Sequence, residues 1–218
     1  MGHVFRDIEF SLSLGNYEKP MSGLILADVS NSTLNCINIS DTIVFWTNEC
    51  SIEALKELIK VSYEFNRKQV SYNFPVRGSI IKGKIRFVNG NSENKKGGSY
   101  SVRCLYGRGI IDAHNKAENQ NWAGSVIDNS IINDLIKNDK NLNFLLKYAI
   151  KYKVPYKTNI KEEEYVFKLS EKLLNSKAFE NASQGIIDTF KLDNKSIDNP
   201  SVQLKIENTI SFLSLFKE

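Results

Sequence analysis

The stretch TLNCINISDTIVFWT, residues 33–47, restricts the fold more than any other. Two runs rich in β-branched and aromatic residues flank Ser40-Asp41, the pattern of an antiparallel hairpin with a tight turn. It also raises a chemical question, because Asp41 places a carboxylate where two otherwise apolar strands meet. An aspartate there serves either as a turn former, bonding its own backbone, or as a ligand for a cation.

The neighbouring segments supply the rest of a sheet. In SIEALKELIKVSYEFNRKQ, Ile52, Leu55, Leu58, Ile59 and Ser62 fall at helical spacing, and Ser51 with Glu53 and Glu57 suits a helix N-terminus. FPVRGSIIKGKIRFVNG reads as a strand with glycines at 78 and 83, where a backbone or ligand approaches closely. GNSENKKGGS is a polar loop, YSVRCLYG a strand, GIIDAHNKAENQNW a helix and GSVIDN a strand. Upstream, HVFRDIEFSL alternates enough to predict a strand containing Asp7, and MSGLILADVS predicts a helix with Pro20 near its start. The order β-α-β-β-α-β-β-α-β predicts an α+β fold: a ferredoxin-like, antiparallel-rich sheet with helices on one face, spanning residues 1–128. Residues 129–218 read as mostly helical, in SIINDLIKN, LNFLLKYAIKY, SEKLLNSKAFENASQGIIDTF and SVQLKIENTISFLSLF. VPYK and EEYVFKLS are short extended pieces between them. This half is expected to be a helical extension packed on the core.

Several function classes are disfavoured by composition. The net charge of +4 is spread along the chain, a solvated surface rather than a nucleic-acid stripe. No apolar run approaches the roughly 20 residues of a membrane helix, and MGHVFRDIEF lacks the apolar core of a signal peptide. Cys36, Cys50 and Cys104 are odd in number and lack ligand spacing, so a reducing, cytoplasmic location is expected. Two histidines leave little room for a histidine metal site or a Ser-His-Asp triad.

Carboxylates remain. If the predicted strand holding Asp7 lies beside the hairpin, Asp7 and Asp41 converge, and two converging carboxylates repel unless a cation sits between them. Hard oxygen ligands favour Mg²⁺ or Mn²⁺. Asp28, in LILAD, competes with Asp7. Only thirteen positions (41 − 28) separate it from Asp41, too few for a helical crossover.

Taken in order, FRDIEFS, ISDTIVFW, PVRGSIIKGKI and GRGIIDAHNKAE resemble the class III nucleotidyl cyclase domain. The resemblance is strongest to the bacterial pyrimidine cyclases of Pycsar anti-phage systems. YKVPYK and KIENTISFL resemble tail segments of the same proteins. The resemblance implies that Asp7 and Asp41, with the backbone carbonyl of Ile8, bind two Mn²⁺ or Mg²⁺ ions. The ribose 3′-hydroxyl of UTP or CTP would then attack the α-phosphorus, giving a 3′,5′-cyclic nucleotide and diphosphate. It further implies a homodimer with active sites at the interface, and a second messenger read by a separate effector protein. Ile37 occupies the position where purine cyclases carry a base-reading lysine, which fits a pyrimidine reader. The class places an Asn and an Arg one turn apart on the helix after the last glycine motif; the strict register here gives Asp112 and Lys116. Asn115 and Lys116 are the candidates for stabilising the transition state, Arg108 is a second cation, and Arg77 and Arg103 are candidates for phosphate. Asp7-Ile8-Glu9-Phe10 lacks the glycine the family carries before the aromatic. That departure and the missing Asn/Arg pair favour the alternative, a non-catalytic cyclase-fold domain that binds nucleotide or a partner protein.

Overall fold

The computed structural model describes residues 2–19, 23–158 and 161–218. The chain opens with a helix, α1 (Gly2–Leu12), where a strand was expected. Val4, Ile8 and Leu12 recur every four residues as well as alternating. Ile8 is buried, and the buried Ser11 hydroxyl donates to the Asp7 carbonyl one turn back. A short antiparallel ribbon of β1 (Tyr17–Glu18) and β2 (Leu26–Ala27) follows, where the spacing of LILAD predicts a helix. Pro20, the expected helix start, lies outside the described residues.

The hairpin forms as read. β3 (Leu34–Ile39) and β4 (Thr42–Thr47) pair from Leu34↔Thr47 to Ile39↔Thr42, leaving Ser40-Asp41 as a two-residue turn. Ser40 takes a left-handed φ of 58°, the conformation such turns need. The expected helix is α2 (Ile52–Lys68), capped by the Ser51 hydroxyl accepting from Ala54 N at 3.1 Å. It runs on as a single π turn over Gln69–Asn73.

The segment read as one strand over 74–90 becomes two, β5 (Arg77–Ile80) and β6 (Arg86–Glu93). Among the described residues β6 pairs only with β7 (Ser99–Tyr106), so the two form a separate two-stranded ribbon. α3 (Arg108–Glu118), β8 (Gly124–Ile127) and α4 (Asn129–Asn138) match the sequence reading. LNFLLKYAIKY does not, since it gives a short 3₁₀ turn at Leu145–Lys147 and then β9 (Ala149–Pro155). Ile150, Tyr152 and Val154 repeat with period two, and seven residue pairs with β10 (Lys161–Phe167) outweigh the helical spacing. α5 (Ser176–Leu192) starts only at Asn175, its N-cap, leaving SEKLL outside the expected helix. α6 (Pro200–Leu213) carries Asn199 as its cap and Pro at its first turn.

The main sheet has the order β5-β8-β10-β9, with β5 and β8 parallel and the other pairs antiparallel. Two of its strands precede residue 128 and two follow it, so residues 129–218 are not a helical extension alone. Helices cover both faces rather than one, because successive strand residues point opposite ways. Ile80, Ile127 and Phe167 pack with Ile59 and Tyr63 of α2 and with Ile131, Ile132 and Leu135 of α4. Val126, Val154 and Val166 pack with Trp122 just before β8, with Ile186 and Phe190 of α5 and with Phe212 of α6. The fold is α+β. Its opening strand in the ferredoxin-like order is replaced by α1. No helix among the described residues is long and apolar enough to cross a membrane.

Candidate functional site

The two glycine motifs meet. A β-carbon on Gly83 would lie 2.3 Å from the Gly109 Cα, so only hydrogen fits between the two backbones. The Gly109 N–H donates to the Lys84 carbonyl at 3.1 Å. Gly107 has φ 138°, and a β-carbon there would lie 2.5 Å from the same carbonyl. The end of β5 is thereby locked to the start of α3, which fixes where Arg108 and Asp112 sit.

The three carboxylates of interest take different roles. Asp7 is buried on α1, and its Oδ2 accepts from Gln69 Nε2 at 2.9 Å and Asn73 Nδ2 at 2.6 Å. Two amide N–H groups therefore point at the oxygen that a cation would need, and their positive ends repel one. Ile8 lies buried in the same helix, where a carbonyl is spent on the helical ladder. The surroundings of Asp7 and Ile8 do not fit a Mn²⁺ or Mg²⁺ ion. Asp41 is exposed at the hairpin turn. Asp28 accepts from the Ser30 hydroxyl at 2.6 Å and the Ser30 N–H at 3.0 Å, bonds that hold its carboxyl below the usual range. Among the described residues no group of three or more His, Cys, Asp or Glu side chains is placed to hold a metal.

On α3, Arg108 pairs with Asp112 one turn on, at 2.7 Å, and Asn115 faces solvent. Lys116 instead turns inward. Its ammonium donates to Asp128 Oδ2 at 2.7 Å and Glu164 Oε1 at 2.5 Å, and the Tyr156 hydroxyl donates to the other Glu164 oxygen. Burial works against the Lys116 charge, but the two carboxylates override it and hold the ammonium above its ordinary value. Burial likewise raises the Asp128 carboxyl, and bonds from Lys116 and Ser130 bring it below the usual range. The Tyr156 phenol is driven far upward by burial and by its bond to Glu164. This group ties α3 to β8, β9 and β10, and its cation is engaged within the chain.

Arg77 is engaged too. Its guanidinium pairs with Glu118 at 2.5 Å and donates to the Glu118 and Gln120 carbonyls at 3.4 and 3.3 Å. Ile37 is half-buried in β3 opposite Val44. Arg103 is exposed on β7 opposite Asn89.

Glu164, Tyr156, Gln69 and Asn73 escaped sequence reasoning. For Glu164 a signal existed: in EEEYVF it shares strand parity with Val166, and hence the buried face. Gln69 and Asn73 lie 62 and 66 positions from Asp7 and carry no local signature.

A surface cleft of about 360 Å³ lies between the end of α1, the loop after β2 and α2. Glu57 in it accepts from Ser32 and Thr33, while Lys56 and Lys60 stand one turn apart. Of the candidate residues only Asp28 lines it. No protein-family model matches the sequence, and no curated protein or solved structure gives a match.

Proposed function

We propose that this chain is a nucleotidyl-cyclase-like domain of the pyrimidine type, converting UTP or CTP to the 3′,5′-cyclic nucleotide and diphosphate. The product would be a second messenger for a separate effector protein in anti-phage defence, made in the cytoplasm. The observation that carries this reading is the contact of Gly83 with Gly109, which joins the two glycine motifs of the resemblance into one unit. Asp41 is exposed at the hairpin turn and is the side chain whose loss abolishes turnover under this reading.

The partner is a second copy of the chain. Among the described residues the β6–β7 ribbon pairs with no other strand, and a lone hairpin is marginal in water. One of its faces carries Val88, Tyr100, Val102, Cys104 and Tyr106, with Val88, Tyr100 and Tyr106 all exposed.

A second reading keeps the fold without turnover: a domain that binds nucleotide or a partner protein. The engagement of Asp7 by Gln69 and Asn73 favours it, since a two-carboxylate cation site then lacks one member. Incubating the purified chain with each of the four nucleoside triphosphates and Mn²⁺, with products identified by mass spectrometry, separates the two. Cyclic UMP or cyclic CMP, absent with Asp41→Ala, supports the cyclase. Saturable nucleotide binding without diphosphate release supports the binding domain.

A further inference from the structure

Cations from three elements crowd the C-terminal end of α3. Arg77, opening β5, bonds Glu118 and the last carbonyls of this turn, as described above. Lys157, just beyond β9, donates its N–H to the Asn119 carbonyl at 2.8 Å and holds its ammonium 3.6 Å from Glu118 Oε2. α6 docks on the same segment, where Asn208 Nδ2 donates to the Asn121 carbonyl at 2.8 Å. Lys205 lies one turn before Asn208, on the same side of α6, and is half-buried. Lys195, the fourth cation near Lys205, is 3.5 Å from Asp193 and so already has a counter-charge. Arg77 and Lys157 share the carboxylate of Glu118, and among the described residues Lys205 makes no ion pair.

A half-buried lysine facing like charges is an arrangement that folding alone does not favour. Burial first, and then Arg77, Lys157 and Lys195, hold the Lys205 ammonium below its ordinary value. We propose that Arg77, Lys157 and Lys205 form a binding site for a small molecule bearing a multiply charged phosphate group. A phosphate dianion offers acceptors to a guanidinium and two ammonium groups at once, and it supplies the charge that Glu118 alone does not. The site sits at the end of β5 and α3 opposite Gly83 and Gly109, apart from the glycine unit, and Arg77 is the one residue it has in common with the phosphate contacts the resemblance implies.

The test is calorimetric titration of the full chain with inorganic pyrophosphate at low ionic strength. Saturable binding is expected, weakened about tenfold by Lys205→Gln and by Lys157→Gln, the loss of one charge-assisted hydrogen bond. Lys157 is exposed, so its variant folds whatever Lys205→Gln does. Glu118→Gln removes the competing carboxylate and is expected to tighten binding. Lys95→Gln, on the exposed β6–β7 loop, is expected to leave it unchanged. Absence of saturable binding, or equal weakening by Lys95→Gln and Lys205→Gln, would overturn the proposal.

Discussion

Gly83 and Gly109 touch backbone to backbone, with 2.3 Å between the Gly109 Cα and the place a β-carbon on Gly83 would occupy. Two opposing effects decide what Gly109→Ala does. Alanine improves helix propensity by about 1 kcal/mol. The new methyl, however, meets the Gly83 Cα and carbonyl carbon at 2.9 Å, and main chain cannot swing aside as a side chain can. Overpacking of this kind costs about 1–3 kcal/mol, so the clash wins and the urea midpoint is expected to fall. Gly90→Ala, whose β-carbon meets nothing within 4 Å, is the matched control and should leave the midpoint nearly unchanged.

What the sequence made legible follows the range of the interactions involved. The α2 helix and the β3–β4 hairpin were readable because cap, spacing and turn all lie within a few residues of one another. For α1, Val4, Ile8 and Leu12 suit a helix while Ile8, Phe10 and Leu12 suit a strand, and contact with α2 settles the matter. In the same way β9 owes its conformation to β10, a partner the local pattern does not reveal. The roles of Asp7 and Lys116 were hidden for that reason too: each is set by side chains 12 to 66 positions away.

Asp7 is expected to stabilise the fold. Asp7→Ala strands the Gln69 and Asn73 amides, and each buried donor left unmade costs about 1–3 kcal/mol. The denaturation midpoint should therefore fall much further than with Asp28→Ala, where an exposed turn re-forms its bonds with water. Mn²⁺ offers a sharper check. If it raises the melting temperature of the wild type but not of Asp7→Asn, Asp7 is a cation ligand and the structural assignment fails.

The β6–β7 ribbon predicts self-association through one face. Val88 opposes Cys104 and Ser92 opposes Tyr100, while on the other parity Phe87 packs on Trp46 with ring centroids 5.4 Å apart. Val88→Lys with Tyr100→Lys should convert a dimer to monomer in sedimentation velocity without lowering the melting temperature of the monomer. Phe87→Lys should instead destabilise the fold. A wild-type chain that sediments as a monomer at every concentration would rule out the ribbon as a dimer contact.

Lys116 lies between Asp128 and Glu164, and the Glu164 side chain is only 4% exposed. Lys116→Met leaves that carboxylate buried beside a second one, a loss of about 3–5 kcal/mol for a broken buried pair. Lys116→Met with Glu164→Gln should recover part of it. The pH dependence fixes the sign. Because Asp128 is held below its usual value, its contribution is full above the unfolded value of about 3.9 and is lost as pH falls through the lower folded one. The raised Lys116 contributes fully below its unfolded value and loses that only as pH climbs through its higher folded one. In the methionine variant the carboxylates have no counter-charge, so acid relieves their repulsion instead of breaking a pair. The stability gap between wild type and Lys116→Met should therefore narrow from pH 7 to pH 3 in urea titrations. A gap that stays constant across that range would mean that lost packing by the lysine stem, and not its charge, accounts for the damage.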